Sequence, residues 1–341
     1  MEGINLKGPL TVGLDITNRC NLRCRHCYAN ATFDSKIPDI PLKKILSILD
    51  ELNELGTCLV SLAGGEPLIR NDLLSITRAI KERGMMLFLN TNGQLLTEKY
   101  AQDLKKNGVD HMEISIDGLE NNHDAIRGHG SFKKAIEGFK NAKKAGIDTG
   151  IMTVISRQNM GDVDRLIKLF YGLGAAGIGF IRFKPVGRGK DLKDLELSPL
   201  ERKSLIEKIY EQKILFDSKN FNIKVETPLS ILVAQKYPDF MKQHSYIKDA
   251  IRGCPSGVIS MHINADGTVT SCSQMPLTVG SIYDSTIYDL WNKSALFKKI
   301  RARKYEGKCS KCKHLNACGG CRTAAYLDCG NIMGADPGCW L

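Results

Sequence analysis

Between residues 10 and 189, short runs rich in branched apolar residues alternate with stretches whose apolar positions recur every three or four residues. The first kind reads as buried strands at 10–16, 58–62, 86–90, 111–116, 150–155 and 179–183. The second reads as amphipathic helices at 42–55, 72–83, 98–107, 132–145 and 163–173. Four of these helices run into a glycine (Gly56, Gly84, Gly108, Gly146), the residue that accepts the left-handed conformation past a helix end. Asp72, Thr97 and Ser131 stand where a short polar side chain would cap a first turn. Strand–helix units in series imply a parallel sheet with right-handed crossovers. The expected fold class is α/β, a partial (β/α)6 TIM-like barrel.

The pattern changes at Ser198-Pro199. A helix is expected at 199–216, an extra strand at 221–226, and connecting helix and loop at 237–251. From Cys254 onward the chain is short strands, turns and cysteines, with Asp266-Gly267 placed to turn a hairpin between 261–264 and 268–271. This divides the chain into a barrel (1–197), a bridging region of helix and strand (198–253), and a small cysteine-rich C-terminal domain (254–341).

The 341 residues are 43% hydrophobic and 25% charged, as in a folded globular protein. No apolar run approaches the ~18 residues of a membrane span. The start, MEGINLKGPL, lacks a secretory h-region, so a cytoplasmic protein without membrane contact is expected. The formal charge of +11 is spread over lysine-bearing helices without interleaved aromatics, which reads as solvated faces rather than a nucleic-acid surface. The twelve cysteines change the picture. Three lie within 20–27, one at Cys58, none follows until Cys254, and eight occupy the tail. Disulfides rarely persist in a reducing compartment and would be spread through the fold, so metal sites at head and tail are the better reading.

The head group is Cys20, Cys24 and Cys27, a C-x3-C-x2-C loop directly after the first strand. Three thiolates can hold three irons of a cubane and leave the fourth open to a small molecule. Zinc, with His26 as fourth ligand, and an ordinary ferredoxin-type cluster are the alternatives. Gly64-Gly65-Glu66-Pro67 follows the second strand, Asn90 ends the third, and Ser115 and Asp117 end the fourth, with Arg127 twelve residues after Ser115. Strand ends of this kind form the mouth where barrel enzymes place their chemistry. Asp117 either caps the following turn or lines the site. Phe183–Gly189 ends the sixth strand.

The triad within a βα-repeat chain resembles the radical S-adenosylmethionine (SAM) superfamily. The resemblance implies a [4Fe–4S] cluster on Cys20, Cys24 and Cys27 whose open iron binds the amino and carboxylate groups of SAM. Reductive cleavage of SAM then gives a 5′-deoxyadenosyl radical that abstracts hydrogen from substrate. His26 falls at the family's aromatic position between the second and third cysteines. Gly64, Gly65 and Glu66 resemble its SAM-amino motif, and Ser115 and Arg127 a pair contacting SAM ribose and carboxylate; Asn90 joins this cofactor-binding set. The tail resembles the SPASM domain, with Cys254, Cys272 and Cys321 on one auxiliary cluster and Cys309, Cys312, Cys318 and Cys339 on another. The first would have an open iron, a noncysteine ligand, or Cys329. Cys58 reads as a small buried hydrophobe.

The branch resembled includes quinone-cofactor and mycofactocin peptide maturases and haem-pathway decarboxylases. Ser273 stands where sulfatase-maturing relatives carry Asp, against that activity. The expectation is an oxidoreductase acting on a peptide, by oxidation or crosslinking. Its alternative is a small-molecule cofactor substrate, such as a tetrapyrrole propionate that is decarboxylated, received by Arg182, Lys184 and Arg188. An electron donor such as ferredoxin or flavodoxin is implied. A peptide substrate would call for a separate leader-peptide-binding protein, because no such module precedes residue 10. A nonenzymatic iron–sulfur carrier or zinc-dependent binding protein is the contrasting class.

Overall fold

The computed structural model describes residues 6–243 and 253–341. The expected strands form: β1 (Thr11–Asp15), β2 (Leu59–Ala63), β3 (Met86–Thr91), β4 (His111–Ser115), β5 (Asp148–Ile155) and β6 (Gly177–Arg182), each parallel to the next. The extra strand β7 (Asn222–Glu226) continues the sheet beside β6. Helices α1 (Leu42–Glu54), α2 (Leu73–Glu82), α3 (Glu98–Lys106), α5 (Ser131–Lys144) and α6 (Val163–Gly172) return the chain between strands. Sequence periodicity misses α4 (Glu120–Arg127), whose ENNHDAIR run is too polar to show an apolar stripe. The second half of the expected 237–251 connection lies largely outside the described residues.

The tail does not stand apart from the sheet. Strand β8 (Ser260–Ile263) pairs in parallel with β1, and β9 (Thr268–Thr270) and β10 (Thr278–Ser281) add antiparallel neighbours. The order is β10-β9-β8-β1-β2-β3-β4-β5-β6-β7. An uncovered β1 would present a row of unpaired backbone groups, and β8 satisfies them. The Asp266-Gly267 hairpin forms as expected, with Gly267 at φ +84°.

Period-2 alternation sends the strands' residues to two faces. Val12, Leu14, Val60, Leu62, Leu87, Leu89, Met112 and Ile114 are fully buried and meet Ile45, Ile48, Leu49, Ile76, Ile80, Leu104 and Phe139 in the main core. Each such aliphatic or aromatic side chain contributes roughly 1.5–3 kcal/mol. Their neighbours Gly13, Ser61, Ala63, Asn90, Ser115, Met152, Val154 and Ile181 turn to the other face and line a cavity of about 310 Å³. Core and cavity are two sides of one sheet.

Two cap expectations need correction. Thr97 caps α3, accepting from the Tyr100 N–H. The Asp72 carboxylate instead takes the Arg70 guanidinium at 2.7 Å, a charged partner two residues away that outcompetes a cap. Ser131 is already inside α5, with Gly130 at the cap position, and its hydroxyl donates to Asp124. Helix α7 (Pro199–Phe216) forms as predicted and carries a full capping box between Ser198 and Glu201.

Candidate functional site

The loop leaving β1 carries the triad into the cavity. Cys20, Cys24, His26 and Cys27 border it, together with Gly64, Gly65, Asn90, Ser115 and Arg127. The two glycines explain how the loop fits. A Cβ on Gly64, at φ +130°, would lie 2.3 Å from the Thr17 carbonyl oxygen, and one on Gly65 would lie 2.2 Å from that of Arg19. Only bare backbone can approach this closely, and it does so to donate hydrogen bonds from Gly65 N–H to Thr17 O and from Glu66 N–H to Arg19 O. Glu66 itself is buried behind this contact and does not border the cavity. Its carboxylate accepts from the Thr91 hydroxyl (2.7 Å) and the backbone N–H groups of Asn92 and Leu68 (2.8 and 3.1 Å). Burial nonetheless pushes its pKa up. Asn90 donates to Ser61 Oγ and Leu62 O from its place in the wall.

Asp117 is the structural hub that sequence reasoning left undecided. It is fully buried and does not line the cavity. One oxygen accepts from Arg127 Nε at 2.6 Å and lies 2.7 Å from His26 Nε2; the other accepts from the Val154 N–H. Burial opposes its charge, but Arg127 and His26 outweigh burial and hold the carboxyl far below the usual range. Asp117 therefore aims two of the cavity's side chains. Arg127 Nη1 is thereby brought to 4.0 Å from Cys24 Sγ. The loop after β6 packs over the triad: Arg188 donates to the carbonyls of Cys24 and Ala31, and a Cβ on Gly187 would meet the Tyr28 carbonyl at 2.3 Å.

The expected propionate receivers separate. Arg182 is withdrawn from the mouth by an ion pair to buried Asp336 at 2.8 Å, and Arg188 is engaged with backbone. Lys184 is buried in the cavity wall and donates to Gln274 Oε1 at 2.7 Å. Further wall residues escaped the sequence reading. His262 lies across Gly13, with Nε2 3.1 Å from Asp15 Oδ2, and Tyr28 donates weakly to Asp15. A second cavity of about 250 Å³ adjoins the first across Tyr28, Val186, Ser273 and Gln274. The glycine at 13, opposite a histidine on an unexpected neighbouring strand, was the only available signal.

None of the twelve cysteines is in a disulfide. Among the described residues no three His, Cys, Asp or Glu side chains are gathered tightly enough for a single metal ion. The triad borders a cavity large enough for a bulkier group, and donors aim at its sulfurs: the Leu22 N–H lies 3.4 Å and Asn92 Nδ2 3.9 Å from Cys20 Sγ. Burial pushes the protonated Cys20 thiol up to about 12, a cost that iron ligation removes. In the tail, Cys309, Cys312, Cys318 and Cys339 border one small cavity, and the His314 and Gly320 N–H groups point at Cys312 and Cys318 sulfur. Cys254 lies within electrostatic reach of Cys321 and Cys272. These donor sets fit iron–sulfur clusters. Cys58 is not buried as expected: it stands just before β2 and is exposed, as is Cys329, and the two thiols donate to the carbonyls of Leu10 and Ala325.

Comparison with known proteins agrees with this geometry. The profile of the Radical SAM superfamily matches residues 14–170, and that of SPASM, an iron-sulfur cluster-binding domain, matches 254–313. The chain is 28% identical to the AdoMet-dependent heme synthase of Nitratidesulfovibrio vulgaris, over 96% of its own length and 91% of the relative's. It is also 28% identical to the mycofactocin maturase MftC of Mycolicibacterium smegmatis, over 98% and 83%. The solved structure of Streptococcus suis SuiB bound to precursor peptide SuiA shares the fold, with a TM-score of 0.80 at 20% identity, covering 98% of this chain and 76% of that one. No helix among the described residues is long and apolar enough to cross a membrane. With SAM, a [4Fe–4S] cluster and auxiliary clusters as its cofactors, the chain is a radical SAM enzyme with a C-terminal SPASM domain.

Proposed function

We propose that the enzyme abstracts hydrogen from a carboxylate-bearing small molecule and decarboxylates it, a tetrapyrrole propionate being the substrate class. The observation that carries this reading is Lys184. The residue is 8% exposed on the cavity wall, and among the described residues its ammonium meets an amide oxygen rather than a carboxylate. A buried cation with only a neutral partner is costly, and a substrate carboxylate would complete it. The names of the relatives, AdoMet-dependent heme synthase and Fe-coproporphyrin III synthase, support the same class. Cys20, Cys24 and Cys27 would hold the cluster that binds SAM. Gly64, Gly65, Asn90, Ser115 and Arg127 would seat SAM, with Glu66 backing its amino group and His26 packing beside it. Bound there, SAM supplies the hydrogen-abstracting radical. The auxiliary clusters of the tail cysteines would supply the electron acceptor: a propionate that gives up one hydrogen atom, one electron and CO2 becomes a vinyl group. A ferredoxin or flavodoxin would reduce the first cluster.

Peptide maturation is the second reading, favoured by the mycofactocin maturase relatives and by the polar second cavity, whose Asn18, Asn264, Thr270 and Thr278 suit backbone amides. It would place a separate leader-peptide-binding protein beside the enzyme. The test uses reconstituted enzyme with SAM, dithionite and iron coproporphyrin III. Decarboxylated product is expected, with Lys184→Met raising KM for the porphyrin about tenfold, as for loss of one charged contact, while uncoupled 5′-deoxyadenosine release stays. No tetrapyrrole product, but conversion of a precursor peptide, would overturn the first reading in favour of the second.

A further inference from the structure

A buried guanidinium pair lies where the barrel meets the cysteine-rich tail. Arg182, at the end of β6, and Arg202, in the first turns of α7, are 8% and 4% exposed. Arg182 is neutralised by Asp336, whose carboxylate also accepts from the backbone N–H of Cys321 and Gly338. Among the described residues Arg202 makes no ion pair of its own; the carboxylates near it are Asp336 and Glu196, and Glu196 lies 3.8 Å from Arg182 Nη2. Arg202 Nη2 donates to the Leu197 carbonyl at 2.6 Å, while its buried Nε and Nη1 have no acceptor, nor has Arg182 Nε. Burial and the neighbouring Arg182 lower the Arg202 pKa to about 10, against the opposing pull of Asp336 and Glu196. Guanidinium does not relieve this by losing its proton, so the site calls for negative charge.

The nearest unfilled source is on the tail. Cys321 is tied to the pair through Asp336, whose carboxylate accepts from Arg182 Nη1 and from the Cys321 N–H, each at 2.8 Å. A Cβ on Gly338 would come 2.6 Å from Arg202 Nη1 and 2.9 Å from Arg182 Nη2, so the pair also abuts the backbone that leads into Cys339. An iron–sulfur cluster with thiolate ligands is a net anion whose sulfurs accept hydrogen bonds, and nearby donors and positive charge raise its reduction potential.

We infer that Arg202, supported by Arg182, is a positioning residue for the auxiliary cluster of Cys254, Cys272 and Cys321, and that its charge raises that cluster's potential so that it accepts the substrate's electron. This rests on the assignment of Cys321 as a ligand, not on the identity of the substrate. The auxiliary clusters are read in the reconstituted full chain carrying Cys20, Cys24 and Cys27→Ala, by redox-titrated electron paramagnetic resonance with iron determination. Cys321→Ala tests the assignment separately, by removing the signal. Arg202→Gln keeps donors but drops the charge, and Arg202→Lys keeps the charge. The Gln variant should shift the reduction equilibrium about tenfold toward the oxidised form, about 59 mV for one electron, with Lys close to wild type. Equal potentials in all three, or equal shifts in Gln and Lys, would overturn the inference. If Gln fails to assemble the cluster, a Lys variant that assembles it at the wild-type potential supports the charge role, and one that also fails refutes it.

Discussion

Asp117→Asn is the most informative single change at the SAM end of the site. The side chain keeps its volume but loses the charge that faces Arg127 Nε at 2.6 Å and His26 Nε2 at 2.7 Å, Asp117 being fully buried and its two partners half-buried at the cavity wall. Arg127 is then a cation without its anion. Breaking one partner of a buried pair costs about 3–5 kcal/mol. Release of Arg127 should also weaken SAM binding by the worth of a charged hydrogen bond, roughly 1.5–3 kcal/mol or about 10- to 100-fold. Chemical denaturation gives the first number and anaerobic SAM titration of the reconstituted enzyme the second. Arg127→Met and the double variant complete a cycle. Because the double variant leaves neither charge stranded, its loss should fall short of the summed single losses by 1 kcal/mol or more. Additive losses, or an Asp117→Asn protein as stable as wild type with unchanged SAM affinity, would refute the hub role.

Two further outcomes are expected. His123 accepts from the Asp117 N–H through Nδ1, which requires the neutral ring, and burial followed by Arg127 lowers its pKa from 6.5 to about 4. Below pH 6.5 the unfolded chain binds a proton that the folded chain refuses. Stability should therefore be fully present above 6.5 and fall by up to about 3 kcal/mol between 6.5 and 4; His123→Asn should flatten that slope in denaturation curves, and an unchanged slope would contradict the account. Gly65→Ala forces a Cβ against the Arg19 carbonyl and should cost about four irons per chain, the content of the triad's cluster. Gly172→Ala, in open space at the end of α6, should leave the iron content untouched.

What could be read along the chain was what is local. The C-x3-C-x2-C spacing, the glycine pair at 64–65, the strand ends at Asn90 and Ser115 and the tail cysteines are short-range patterns, and nine of the predicted head residues border one cavity, Asn90 and Ser115 from β3 and β4 and the others from the loops after β1 and β2 and from α4. Roles set by distant partners were not legible. Arg182 looked like a substrate receiver until Asp336, 154 residues away, was seen to neutralise it. Asp117 became a hub only when α4 brought Arg127 back over it, and that helix is too polar to announce itself by periodicity. Lys184 gained its meaning from burial and from a neutral neighbour, Gln274, ninety positions on. Which strand lies beside β1 was likewise decided by the need to pair an open edge, and that choice carried His262 and the tail to the cavity. Residue type and spacing determined which chemistry this chain can hold; burial and long-range pairing decided which side chains are left free to perform it.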